Sequence, residues 1–89
     1  MTIHLEDIKV LVLRCIEEHP NPDDQHKICV KAVREVLSIY RLEQGSSVRE
    51  SVNRVNTALV ELAPTHLVAR HLCDERGLLR NTPTRMELA

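Results

Sequence analysis

Apolar residues recur along most of this chain at steps of three and four, which is the spacing of an amphipathic helix. In the first such stretch Ile8, Val12 and Ile16 fall on one broad apolar face, while most of the charged residues lie elsewhere. Pro20 ends this stretch, because a proline disfavours helical backbone in the residue before it. The pattern predicts a first helix over residues 4–19.

A second helix is predicted over residues 22–44. Asn21 can cap its start, Pro22 suits its first position, and Gly45 is the residue type that commonly follows the last turn. Apolar residues cover more than half of its circumference, so we expect it to be central and to touch at least two other helices. They are Ile28, Cys29, Ala32, Val33, Val36, Leu37, Ile39 and Tyr40, with Val30 at the margin.

Two more helices are predicted, over residues 47–62 and 65–76. Ser47 and Glu50 have the spacing of a capping box at the start of the third helix. Its apolar residues form a narrow seam only about two heptads long, so we expect packing against the first two helices rather than a coiled coil. Gly77 is expected to close the fourth helix. The seam consists of Val48, Val52, Val55, Leu59 and Leu62.

These patterns predict an all-α fold, a compact four-helix domain over residues 1–80. Residues 81–89 show no helical period and are expected to form an irregular tail or a short strand with a turn at Pro83. A domain of this size hides only about two-thirds of the surface of its unfolded chain. We therefore expect a homodimer, joined through surplus apolar surface on the first helix or through the seam of the third.

Charge and composition exclude several classes of protein. The net charge is -1, which gives no overall field to attract nucleic acid or an acidic membrane. The chain has no apolar run long enough to span a bilayer, and its N-terminus lacks the order of a signal peptide. Three cysteines do not make a disulfide framework. We expect a cytoplasmic protein with reduced thiols and no membrane partner.

The residues around Pro20 include candidate metal ligands. In an antiparallel hairpin about this turn, Cys15 is expected to lie level with His26, and Cys29 lies three residues further along the second helix. Cys and His are the usual ligands of zinc, but this spacing matches no standard zinc arrangement. We expect both cysteines to be small core residues and predict no cofactor. A metal site here would use Cys15, His26 and Cys29.

The sequence contains no recognisable catalytic set. With only Gly45 and Gly77, it has no glycine-rich loop for phosphate. Cys73 has His71 two residues away, which on a helix points in another direction and is poorly placed as a base. We predict that the protein is not an enzyme.

A basic stripe lies on the outer face of the second helix, formed by Lys27, Lys31, Arg34 and Arg41. The stripe is roughly 20 Å long at the helical rise, long enough to meet several phosphates. Most charged helix faces are plain solvated surface, and Glu35 lowers the positive field of this one. Nucleic-acid or anion binding by the stripe is one hypothesis.

A helix-turn-helix formed by the third and fourth helices is a second way to contact nucleic acid. Asp74 counts against it, because a carboxylate on the exposed face of the fourth helix repels phosphate. The spacing of Arg70 and Asp74 is more simply that of an exposed ion pair of small worth.

Our leading prediction is a small non-catalytic regulatory or adaptor protein that binds another protein through a helical face. It depends on the surplus of apolar helix surface and on the missing catalytic set. The alternative is a transcriptional regulator that binds nucleic acid through the basic stripe or the helix-turn-helix. Salt separates the two, since phosphate contacts weaken steeply with salt and apolar contacts respond little.

Overall fold

The computed structural model describes residues 4–21, 24–43 and 48–88, and within these it leaves aside the side chains at 40–43 and 85. The described residues form an all-α fold, as predicted. Strand-like pairing within them is limited to one isolated antiparallel bridge, between Cys73 and Leu79. The helices are α1 (Leu5–Glu18), α2 (Gln25–Glu43), α3 (Val48–Leu62), α4 (Leu67–Leu72) and α5 (Arg85–Leu88).

The first three helices form the core. Each contacts the other two, and α2 also contacts α4 and α5, which confirms its predicted central position. In the seam of α3, Val55, Leu59 and Leu62 are buried against α1 and α2, so the seam packs within the chain as expected. The core is aliphatic, since the sequence has no Phe or Trp. Its largest fully buried side chains include Ile8, Ile28, Leu37, Leu59 and Leu72.

The hairpin of α1 and α2 differs from the prediction in its register. α2 begins at Gln25 instead of residue 22; Asn21 belongs to the connection, and Pro22 lies outside the described residues. The expectation that Cys15 lies level with His26 is wrong, because Cys15 instead meets Glu35 of α2.

α4 is shorter than predicted and covers six residues. Cys73 leaves the helix with extended backbone and pairs with Leu79 in an antiparallel bridge. Between them, Asp74 Oδ1 accepts backbone hydrogen bonds from Arg76 (2.8 Å) and Leu78 (3.0 Å). Asp74 therefore closes a turn and forms no ion pair with Arg70, which corrects the expectation from their spacing.

Two further contacts fix this region to the core. Arg70 donates to the backbone carbonyls of Ala63 (3.1 Å) and Pro64 (3.3 Å), just beyond the negative end of the α3 dipole. Asn56 of α3 accepts from the Leu79 backbone N–H at 2.7 Å. Gly77 serves this turn, where its φ of 78° suits glycine, and does not close a helix.

The C-terminal segment differs from the predicted irregular tail or strand, because Arg85–Leu88 is the short helix α5. Thr84 and Glu87 form a capping box: Glu87 Oε1 accepts from the Thr84 backbone N–H at 3.0 Å, and Thr84 Oγ1 accepts from the Glu87 N–H at 3.3 Å. Leu88 is buried in the core. The segment therefore docks on α2.

The capping box predicted for Ser47 and Glu50 lies partly outside the described residues, as does the predicted helix end at Gly45.

None of the helices that the structure describes has the length and apolar character that a membrane crossing requires.

Candidate functional site: a groove on α2

A groove of about 1150 Å³ runs along α2. α2 supplies most of its lining, His19 contributes from the connection after α1, and Glu87 and Leu88 contribute from α5. The C-terminal segment, docked beside α2, therefore forms part of the groove. We call it the α2 groove.

The floor of the α2 groove is apolar. Leu37 and Leu88 are buried core residues whose edges reach the groove, and Val30 beside them is half-buried. Val30 stands at the margin of the apolar face of α2, where the helix surface changes from core to solvent. A ligand in the groove would therefore cover apolar surface along one helix.

Lys27, Lys31 and Arg34 of the predicted basic stripe all line the α2 groove. The fourth member, Arg41, lies in α2, but its side chain is outside the described part of the chain. Periodicity placed the basic residues on one face of the helix, and the structure adds the apolar floor beside them.

Carboxylates lie near both lysines. Lys27 Nζ is 3.5 Å from Asp24, and Lys31 Nζ is 3.7 Å from Glu18 of α1. Exposed pairs of this kind contribute little stability and exchange partners easily. Arg34 is different, since none of the carboxylates that the structure describes lies within 4.0 Å of its guanidinium. It is the cation of the groove whose charge is least compensated.

Glu35, which we expected to weaken the field of the stripe, is engaged across the hairpin. Its Oε2 accepts a hydrogen bond from Cys15 Sγ at 3.3 Å. Burial, and secondly this hydrogen bond, raise the pKa of the Cys15 thiol to about 12. The thiol therefore stays protonated at neutral pH and is a poor nucleophile.

A second carboxylate ties α5 to the groove. Glu87 Oε2 makes a short contact with His26 Nε2. The backbone N–H of Thr84, followed by His26, lowers the pKa of the Glu87 carboxyl. Glu87 was not among the site residues predicted from the sequence, although the spacing of Thr84 and Glu87 is that of a capping box and could have indicated it. Its contact with His26 had no local signal.

The candidate metal ligands do not converge. Cys15 is bonded to Glu35 and His26 to Glu87. Burial, and to a smaller extent the nearby Cys73, raise the pKa of Cys29 to about 12. Within residues 4–21, 24–43 and 48–88, no group of three or more His, Cys, Asp or Glu side chains is arranged to hold a metal ion.

Comparison with models of protein families, with curated proteins and with solved structures found no match to this chain.

Proposed function

We propose that this protein is a small, non-catalytic regulatory or adaptor protein that binds a segment of another protein in the α2 groove. The observation that carries the proposal is the combination, along one helix, of an apolar floor with Arg34, a cation that no carboxylate of the described residues approaches within 4.0 Å. Val30 and Leu37 supply apolar contact, and Arg34 supplies a directional polar contact at the rim. Grooves of this composition bind amphipathic helices through anchors at helical spacing.

The state of the cysteines supports a non-catalytic role. All three are buried and free, and burial raises the pKa of each thiol. Such thiols are structural rather than reactive. Free thiols also persist best in a reducing compartment, which supports a cytoplasmic location as part of the proposal.

The alternative of nucleic-acid binding has weaker support. Lys27 and Lys31 already form ion pairs with acidic side chains, and a phosphate backbone would gain nothing from contact with the apolar floor. For the helix-turn-helix, α4 is only six residues long and Arg70 is occupied by backbone carbonyls. The α2 groove is the better supported interface.

The test blocks the groove without touching its charges. Ser38 is exposed and lines the groove, whereas Asn53 is exposed on α3 outside it. Proteins retained from cell extract by the full chain are identified, purified and titrated by calorimetry against wild type, Ser38→Tyr and Asn53→Tyr. We expect the partner to bind wild type and Asn53→Tyr and to lose binding to Ser38→Tyr.

Two outcomes contradict the proposal. One is a purified partner that binds all three proteins equally, which would place the interface elsewhere. The other is salt-sensitive binding of mixed-sequence duplex DNA, measured by fluorescence anisotropy, that disappears when Lys31 and Arg34 are both changed to Glu. That second outcome would make the basic stripe a nucleic-acid site.

We also propose that two copies associate through α1. Val10 of α1 is 63% exposed, whereas Val55 and Leu59 of the α3 seam are buried in their own chain. Of the two surfaces expected to join a dimer, α1 therefore has the exposed apolar side chain. Sedimentation equilibrium should show a dimer for wild type and a monomer for Val10→Glu; a monomeric wild type would contradict this.

A further inference from the structure

The contact between α5 and α2 shows the chemistry of one segment that packs against α2. In α5, the Glu87 carboxylate contacts His26 while the adjacent Leu88 is buried. One short helical turn thus presents a carboxylate to a basic side chain of α2 and a leucine to the apolar core. The α2 groove lies directly beside this contact and shares Glu87 and Leu88 with it.

The rest of the groove has the same two features, a basic side chain beside apolar surface. Arg34 has no carboxylate within 4.0 Å among the side chains that the structure describes, although Glu35 is its neighbour in sequence. Glu35 also lines the groove, but its carboxylate turns toward α1, where Oε2 accepts a hydrogen bond from Cys15 Sγ. Val30 and Leu37 provide the apolar surface beside Arg34.

From this continuity we infer that the occupant of the α2 groove is an acidic amphipathic helix of another protein. Its apolar residues pack on Val30 and Leu37, and one of its carboxylates pairs with Arg34. The guanidinium offers a planar set of donors that a carboxylate can meet with two hydrogen bonds. This inference depends on the proposed function and adds the chemistry of the partner.

The two lysines of the groove adjust to such a partner. Lys27 and Lys31 each hold an exposed, loosely paired carboxylate, so they can turn toward new acidic residues at little cost. Arg34 has no such pair to break. It is therefore the residue that decides between an acidic and a basic occupant.

The experiment titrates three stapled helical peptides, each about four helical turns long, against the full chain by fluorescence anisotropy. The first carries leucines at helical spacing flanked by glutamates. The second replaces the glutamates by lysines, and the third keeps the glutamates but replaces the leucines by serines. We expect only the first peptide to bind wild type measurably, with affinity that falls as salt is added.

The protein variants separate position from net charge. Arg34→Glu and Arg49→Glu change the charge equally, but Arg49 is an exposed residue of α3 outside the groove. We expect Arg34→Glu to weaken the affinity for the acidic peptide roughly tenfold or more, and Arg49→Glu to change that affinity much less. Ser38→Tyr should abolish its binding.

Several results would overturn the inference. The first is that Arg34→Glu and Arg49→Glu weaken binding of the acidic peptide equally. The second is that the serine and leucine peptides bind equally well, and the third is that the lysine peptide binds more tightly than the acidic one. Failure of the acidic peptide, while Ser38→Tyr still abolishes binding of a purified protein partner, would remove the acidic helix and leave the proposed function standing. If Ser38→Tyr affects neither the peptide nor a purified partner, both proposals fall.

Discussion

The three long helices and the residues after Leu62 are held in place by different kinds of interaction. α1, α2 and α3 meet through aliphatic side chains such as Ile8 and Ile28, which are fully buried. The C-terminal region adds Leu72, Leu79 and Leu88 to the same cluster, but it is fixed in addition by polar side chains that bind backbone groups, among them Asn56 on Leu79. Burial is non-directional and grows with area, whereas each of these hydrogen bonds needs one partner in one place.

This difference has a consequence for stability. Loss of one core side chain weakens the whole domain, because every helix of the core shares the cluster. Loss of one polar contact after Leu62 should instead release a local segment and leave most of the core intact. α5, which contributes Glu87 and Leu88 to the α2 groove, belongs to the region that should open locally.

The largest expected effect is in the core. Ile28 is 0% exposed, and Ile28→Ala should lower the free energy of unfolding by about 3 kcal/mol, through lost burial and the cavity left behind. Urea denaturation followed by circular dichroism measures the change. Arg49→Ala, at an exposed position of α3, is the control and should change little. A loss equal to that of the control would contradict a shared core.

The next effect is at the turn after α4. Gly77 has a φ of 78°, and a Cβ added there would lie 2.5 Å from Val60 Cγ2. Gly77→Ala should therefore cost about 1–2 kcal/mol from the left-handed backbone alone, and the overlap with Val60 adds to this. Gly77→Ala combined with Val60→Ala should recover the overlap part. Simple additivity of the two changes in urea denaturation would show that the overlap is absent.

A smaller difference should appear among the thiols. Both cysteines are buried and burial raises the pKa of both thiols, but Cys15 lies in α1 whereas Cys73 begins the turn after α4. Labelling of the wild-type protein with a thiol reagent, followed by peptide mass spectrometry, should modify Cys73 before Cys15, because local opening exposes it. Equal rates in native buffer would mean that the two regions open together.

Acid should weaken the turn selectively. Backbone hydrogen bonds from Leu78 and Arg76 lower the pKa of Asp74 below its ordinary value of 3.8. The charged form is therefore the one that stabilises the fold: its contribution is present above that value and disappears as the pH falls through the lowered pKa. The protection of the Leu78 amide against hydrogen exchange, measured relative to the intrinsic exchange rate at each pH, should fall over this range.

Two substitutions of Asp74 provide the control. Both bonds end on Oδ1, so Asp74→Asn can keep the acceptor while removing the charge, and it should abolish the acid dependence with a modest loss at neutral pH. Asp74→Ala should speed exchange at every pH. Unchanged acid dependence in Asp74→Asn would assign it to another group.

Much of the fold follows from the apolar periodicity of the sequence. The bounds of α1 and α3, the central position of α2 and the burial of the α3 seam all agree with the predictions, because burial along a helix is a regular function of position. The basic stripe also followed, since Lys27, Lys31 and Arg34 share a face of α2 by spacing alone. The capping box of Thr84 and Glu87 could have been predicted from its spacing in the same way, but it was not among the predictions.

The end of α4 could not be predicted from the periodicity of the sequence. Gly77 suits a helix end and a tight turn equally, and Arg70 and Asp74 suit an exposed ion pair on a continuous helix. The competing partners are the Asn56 side chain, from the middle of α3, and the carbonyls of Ala63 and Pro64, from the turn after it. No periodicity within residues 65–76 reports on them.

The sequence by itself determined which residues of α2 face the core and which face solvent, because helical geometry relates each residue to its near neighbours. Only the tertiary structure decided that Cys15 meets Glu35, that His26 meets Glu87 and that Arg34 lies more than 4.0 Å from every carboxylate in the described part of the chain. Contacts between distant residues depend on helix register and on the path of the connections. Short-range patterns do not contain that information, so the α2 groove appears only when the chain is folded.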